Sequence, residues 1–373
     1  MSCRCASDDA LCGRPAISSV LSDLQLANFR CFAAASLEFA PGLNVFTGGN
    51  GAGKTSLLEA VFFLGRGRSF RTADNRVLVQ SGASGARITG RVNQAGAPLA
   101  LGIGITADGL EIHAGGRIAA GTGELVAALP VQAIHAEIDE LVQGPPEARR
   151  RILDWGVFHV EHRYLDQWRR FRRALLQRNA ALKGSGPDDL LASWEGELAG
   201  AADILDQQRA AYFKALAPRF RSHGEHLLGR EVDLSYHRGW PVDSDLRSVL
   251  GASREGDRQA GFTRSGPQRA DLVIRIDDER SRWRASKGQQ KLLGAALVLA
   301  QCELAAEALG QGVALVLDEP AADLDRSHLA ALMNLVGRVP GQVFLAALDT
   351  AGLALPVGTA MFHVEHGQAK ALL

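Results

Sequence analysis

Between two apolar runs lies Gly48-Gly-Asn-Gly-Ala-Gly-Lys-Thr55, and no other stretch constrains the fold of this chain so far. Glycines at that spacing turn backbone N–H groups inward around a polyphosphate, and the motif requires a buried strand before it and a helix after it. Leu43 to Phe46 supplies the strand and Leu57 to Leu64 the helix, closed by Gly65. In this reading Gly48, Gly49, Asn50, Gly51, Ala52, Gly53, Lys54, Thr55 and Ser56 surround a nucleotide. Lys54 neutralises the β and γ phosphates, Thr55 places its hydroxyl on Mg²⁺, and the helix N-terminus adds partial positive charge.

A second group of motifs lies more than two hundred residues later. Val313-Ala-Leu-Val-Leu-Asp-Glu-Pro320 ends an apolar strand on two carboxylates. Asp318 suits the Mg²⁺ shell, and Glu319 suits the polarisation of a water for in-line attack. Upstream stands Ala285-Ser-Lys-Gly-Gln-Gln-Lys291 before an apolar helix from about Leu292 to Leu309, and downstream Ala322-Asp-Leu-Asp325. These two stretches resemble the signature motif and the D-loop of ATP-binding-cassette (ABC) ATPases. That resemblance implies two heads sandwiching two ATP molecules, with Ser286, Gly288, Gln289, Asp323 and Asp325 at the shared nucleotide. Chemistry agrees: Ser286 offers a hydroxyl, Gly288 allows close backbone approach, and the following helix aims its N-terminus at an anion.

With 373 residues, 46% of them hydrophobic, the chain can bury a large core, and about 150 residues per domain suggests two or three domains. Lysine plus arginine and aspartate plus glutamate both number 41, so no overall charge points to nucleic acid and any basic surface must be local. Cys3, Cys5 and Cys12 lie in a leader, residues 1–20, that lacks the apolar core of a secretory signal and reads as disordered. No histidine or acidic cluster stands at a zinc spacing from that Cys-x-Cys pair. Cys31 and Cys302 read as buried thiols. No run approaches the roughly 18 apolar residues of a membrane span, so the expectation is a cytoplasmic protein without a membrane partner.

Periodicity divides the chain. Leu24 with Leu26 and Leu37 with Phe39 alternate as strands, and residues 86 to 92, 99 to 105 and 110 to 113 read as an antiparallel meander. From Pro145 to about residue 228 the sequence turns helix-permissive and arginine-rich, broken once at Gly184-Ser-Gly-Pro187. Strands return at Ala270 to Ile276, Val313 to Leu317 and Val343 to Leu348. The expected organisation is an α/β ABC-type head with an antiparallel β subdomain, split as 21–143 and 265–373 around a helical arm at 144–264. Among the arm's arginines, Arg149, Arg150, Arg169, Arg170 and Arg173 are the candidates for tracking DNA phosphates without reading sequence. Arg66, Arg68 and Arg71 suit either DNA or a partner head. Phe158-His-Val-Glu-His162 recurs at residues 362–366; the first copy places His159 and His162 on one side of a helical turn, as a surface pair. Trp155, Trp168 and Phe171 read as arm packing.

Several further stretches resemble the RecF family of bacterial recombination mediators. They are Leu26-Ala-Asn-Phe-Arg30, Gly49-Asn-Gly-Ala-Gly-Lys-Thr-Ser56, Leu64-Gly-Arg-Gly-Arg-Ser-Phe-Arg71, Gly144-Pro-Pro through Arg149-Arg-Arg-Ile-Leu-Asp-Trp155, and Arg178-Asn-Ala-Ala-Leu182. The resemblance implies a weak, DNA-stimulated ATPase that dimerises on ATP and binds single- and double-stranded DNA at gaps. It implies work with RecR and RecO to load RecA in DNA repair, replication restart and the SOS response. It also places Gln132 as a Q-loop glutamine reaching Mg²⁺ or the attacking water. Two departures stand out. Leu345-Ala-Ala-Leu-Asp349 carries no switch histidine, which argues against the alternative of a transporter ATPase subunit, and Gly266-Pro-Gln-Arg269 has glutamine where the family has histidine.

Overall fold

The computed structural model describes residues 21–94, 97–184, 188–280, 285–350, 353 and 355–372. The leader with its three cysteines, and the Ser185 to Pro187 part of the arm break, lie outside the described residues. Fifteen strands are described: β1 Leu21–Phe29, β2 Phe32–Glu38, β3 Leu43–Thr47, β4 Ala86–Gln94, β5 Ala97–Thr106, β6 Gly109–Ala114, β7 Arg117–Ile118, β8 Val131–Ile134, β9 Val232–His237, β10 Asp271–Ile276, β11 Glu279–Arg280, β12 Val313–Asp318, β13 Gly341–Ala347, β14 Ala360–Glu365 and β15 Gln368–Leu372. They form three sheets.

The central sheet runs β15-β14-β3-β13-β12-β8, parallel throughout except for the edge strand β15. Parallel strands buried on both faces need apolar residues at successive positions, and β12 and β13 are buried along their whole length. Alternate residues of β12 serve two different cores. Ala314 and Val316 pack with Phe46 and Phe344 against the phosphate-loop helix, Lys54–Arg66, while Val313, Leu315 and Leu317 face the arm and the helix Lys287–Leu309. A second sheet, β2-β1-β4-β5-β6-β7, is the expected antiparallel meander, and it covers the outer side of the phosphate-loop helix. That helix is therefore apolar around most of its circumference.

Segment 144–264 contains helices Pro146–Val160, Tyr164–Lys183, Asp188–Leu228, Leu246–Ala252 and Arg254–Ala260. It is not all helix. β9 lies within it and pairs antiparallel with β10, so a three-stranded sheet crosses the boundary drawn at 264/265. Helix Lys287–Leu309 corrects another expectation, because by length and composition it could cross a membrane. Its apolarity has a different cause: it runs through the interior, with 16 of its residues buried. Cys302 on that helix is buried as expected, but Cys31 is exposed in the turn between β1 and β2.

Candidate nucleotide site

β3 and β12 are separated by β13 alone and point the same way, so their C-terminal ends open on one edge of the sheet. The loop after β3 turns through left-handed glycines. At Gly53, with φ 117°, an added Cβ would lie 2.9 Å from both Cys31 Sγ and Phe32 Cζ. At Gly48 it would strike the Val364 carbonyl oxygen at 2.1 Å. Side chains are excluded there by both conformation and space. The result is a cleft of about 550 Å³ beside Asn50, Lys54, Thr55, Cys31, Arg71 and Glu319.

Lys54 is 4% exposed, and its Nζ donates to the carbonyl oxygens of Gly48 at 2.8 Å and Gly49 at 3.0 Å. The Thr55 hydroxyl donates to Asp318 Oδ1 at 2.9 Å, joining residues 263 positions apart. Burial holds the Asp318 carboxyl above its ordinary range, against the Thr55 hydrogen bond, and neighbouring Glu319 pushes the same way as burial. Glu319 adopts φ 47° and brings a carboxylate oxygen 3.9 Å from Lys54 Nζ. Hydroxyl, carboxylate and ammonium thus converge on a cradle of glycine backbone. Oxygen donors of this kind suit a hard divalent cation such as Mg²⁺.

Ser286 caps helix Lys287–Leu309. Its Oγ accepts from Gln289 N at 3.3 Å and its own N–H donates to Gln289 Oε1 at 3.0 Å, a reciprocal capping box. Ser286 is exposed, so this N-terminus faces outward. Gly288 packs on the segment after β12, where an added Cβ would stand 2.8 Å from the Asp323 carbonyl oxygen. Asp323 also lies 3.3 Å from Lys287 Nζ. Asp325 caps helix Arg326–Val336 by accepting from His328 N at 2.9 Å, and those hydrogen bonds hold its carboxyl far below the usual range.

Gln132 is a correction. It pairs with Leu315, three residues before Asp318 on the neighbouring strand, which is about 10 Å short of the carboxylate at strand spacing. It is buried, and its amide donates to Gln301 at 2.9 Å, whose own amide donates to the Ile152 carbonyl. His135, just past the end of β8, is the residue that register brings level with Asp318, although it lines a separate cavity and not the nucleotide cleft.

The arm arginines also divide. Arg149 is 5% exposed and is held by Asp271 at 2.7 and 3.1 Å and by the carbonyls of Leu141 and Gly144, so it cannot serve as a DNA contact. Arg150 donates to the Ala270 carbonyl at 2.9 Å. Arg170 makes a two-pronged pair with Glu197 at 2.5 and 2.7 Å, Arg169 stands 3.7 Å from Asp166, and Arg173 is exposed. The histidine pair does not form: His159 is buried and His162 lies beyond the helix end at Val160. Among the described residues no cluster suits a metal ion through His, Cys, Asp and Glu.

Two functional-looking residues escaped sequence reasoning. Glu59, fully buried, accepts from Arg30 twice at 2.8 Å and from Ser69 at 2.5 Å, tying the phosphate-loop helix to its flanking loops. Lys291, 3% exposed, donates to the carbonyls of Glu319 at 3.2 Å and Ala322 at 2.7 Å. Each was signalled by one charge inside an apolar helix, a position that charged residues occupy only when paired.

The family model described as RecF/RecN/SMC N terminal domain matches residues 20–368. A DNA replication and repair protein RecF from Chromohalobacter salexigens is 40% identical over 356 residues, spanning 93% of this chain and 98% of that one. The chain belongs to the RecF family. A solved structure of the recombination mediator protein RecF with ATP, in the RecFOR pathway, matches with a TM-score of 0.85 at 25% identity, covering 95% of this chain and 98% of that one. An Smc head bound to the C-winged helix domain of ScpA matches at a TM-score of 0.58 and 16% identity, a likeness of fold across 95% of this chain and 97% of the other. The fold is thus that of an α/β ABC-type ATPase head, and membership of the RecF family displaces the transporter alternative.

Proposed function

We propose that this chain is an ATP-dependent, DNA-binding recombination mediator in which ATP joins two copies and slow hydrolysis separates them. The observation that carries this reading is the meeting of Lys54 and Thr55 with Asp318 and Glu319 in one glycine-walled cleft. Thr55 and Asp318 hold Mg²⁺, which when bound neutralises phosphate charge. The loop from Gly48 to Ser56 and Lys54 hold the triphosphate, and Glu319 accepts the proton of the attacking water. The exposed Ser286 and the half-buried Gly288, with Gln289, Asp323 and Asp325 close behind, complete the neighbouring copy's site. Gln132 takes no part in this scheme.

DNA, single- or double-stranded and gapped, binds the joined pair through residues of segment 144–264, the arm of the proposal, and stimulates turnover. RecR and RecO are the proposed partners and RecA loading the outcome, a reading supported by the RecF relatives and by the RecFOR pathway named for the matched structure. Sedimentation velocity with and without ATP tests it. Lys54→Ala is expected to lose both ATP binding and the ATP-dependent dimer, and Glu319→Gln to accumulate the dimer. Monomers under every condition would overturn the proposal.

A further inference from the structure

A second cavity, of about 500 Å³, opens between the C-terminal end of the phosphate-loop helix, the segment from Arg68 to Asn75, the segment after β8 and the first arm helix. Arg66, Arg68, Arg71 and Arg151 reach it, against Glu137 and Glu140. Arg151 has Glu147 at 3.1 Å and Arg71 has Glu59 at 3.8 Å. Arg66 and Arg68 have no carboxylate within 4.0 Å among the described residues. Burial first lowers the guanidinium pKa of both, followed for Arg66 by the charge of Arg68 and for Arg68, lowered to about 10, by the charge of Arg151.

Arg66 lies over the rings of Phe62 and Trp155, 5.5 and 5.4 Å from their centroids, and Trp155 meets His159 edge-on at 4.5 Å. On these three touching residues Arg66 Nη1, Trp155 Nε1 and His159 Nε2 are all buried without a hydrogen-bond partner. Arginine and tryptophan nitrogens can only donate. Buried donors in folded proteins find acceptors, and of these three residues Arg66 lines the cavity, where a bound anion can supply its acceptor, while Trp155 and His159 stand behind it. Phe70 and His135, which also line the cavity, stack at 5.0 Å and 28°.

We propose that this cavity is a second phosphate site, separate from the phosphate loop, which takes a terminal phosphate monoester on Arg66, Arg68 and Arg151. Guanidinium forks match phosphate oxygens in pairs, and a monoester brings three free oxygens and nearly two negative charges, against one for a chain diester. The attached nucleoside can then lie on the Phe70 and His135 rings. The monoester has two possible sources, a free nucleotide or the end of a DNA strand. The inference goes beyond the ATPase reading and does not require an active phosphate loop.

The test uses full-length protein carrying Lys54→Ala, so that the phosphate loop contributes little. Anisotropy compares 3′-labelled single strands ending in 5′-phosphate and in 5′-hydroxyl, and calorimetry titrates AMP and pyrophosphate. The 5′-phosphate strand is expected to bind about tenfold or more tightly than the hydroxyl strand, the ratio appropriate to one charge-assisted hydrogen bond or more. Arg68→Gln and Arg151→Gln should each abolish that preference, and Arg151 is exposed, so its replacement leaves the core intact. Competition by AMP marks a nucleotide site and a strand preference without AMP competition marks a DNA end; both support the proposal. Equal binding of the two strands with no heat from AMP or pyrophosphate overturns it, as does a preference that survives both substitutions.

Discussion

Lys291 shows how one buried ammonium can link two pieces of a site. It stands five residues after the exposed Ser286, yet its two hydrogen bonds fasten the carbonyls of Glu319 and Ala322, and burial lowers its pKa. Lys291→Met keeps most of the stem while freeing the loop that carries Glu319. The expected outcome is a fall in ATP turnover with ATP affinity retained, and a stability loss of about 1–3 kcal/mol from the two carbonyls left unpaired. Turnover and nucleotide affinity measured side by side check it, and an affinity loss matching the turnover loss would refute a positioning role. His159 supplies a pH dependence. Burial first, then the Arg66 charge, lowers its pKa to about 3, so the unfolded chain binds a proton that the folded chain refuses. Stability is therefore full above about pH 6.5 and falls as pH drops toward 3, by about 1.4 kcal/mol per pH unit from this group. Urea denaturation in phosphate-free buffer at pH 7, 5.5 and 4.5 measures the slope, which His159→Gln should reduce.

At the scale of elements, Arg178 holds the arm helices together. The side chain, 0% exposed on helix Tyr164–Lys183, donates to Asp257 and Thr263 at 2.8 Å and to Glu195 and the Leu250 carbonyl at 3.1 Å. Arg178→Leu takes one of two guanidinium partners from each of the buried carboxylates, leaving Glu195 with Arg254 at 2.7 Å and Asp257 with Arg264 at 3.1 Å, and is expected to lose about 1.5–3 kcal/mol, read as a shifted denaturant midpoint. In the sequence this arginine is one of many in an arginine-rich segment. The helix-permissive stretch from Pro145 to about residue 228, with its one break at 184–187, shows that the arm is helical but not that a further break separates Pro146–Val160 from Tyr164–Lys183, and pairing with Glu195 and Asp257 requires knowing which helices meet. The strands were legible for the same local reason, since alternation in β1, β2 and the meander is written in neighbouring residues. β9 was missed because its partner β10 lies beyond the short helices at 246–260. In the nucleotide cleft, the glycine loop and the two carboxylates announced themselves by spacing, whereas Gln132 misled because only the register of β8 against β12 tells which residue arrives at the strand end.

For the whole molecule, zero net charge means that DNA attraction depends on which cations are left over after internal pairing. Arg149 and Arg178 are buried in ion pairs, which removes them from the surface count, while Arg150 is half-buried with one guanidinium nitrogen on a backbone carbonyl. Arg170 is paired on the surface with Glu197, an arrangement that solvent screening makes weak and exchangeable. Arg173 and Arg169, the latter in only a long surface pair with Asp166 at 3.7 Å, are exposed on the same helix four residues apart, hence on one face. If that face tracks phosphates, replacing both by alanine should weaken duplex binding uniformly across sequences and lower the slope of log affinity against log salt by about 2, since each phosphate contact contributes roughly 0.9. Arg170→Ala should change the slope less, because Glu197 competes with DNA for its guanidinium. Titrations of duplex, gapped and single-stranded DNA at three salt concentrations, with ATP present, give the slopes directly. An unaltered slope in the Arg169→Ala, Arg173→Ala double variant would move the DNA footprint off this helix, leaving the arm to partner proteins.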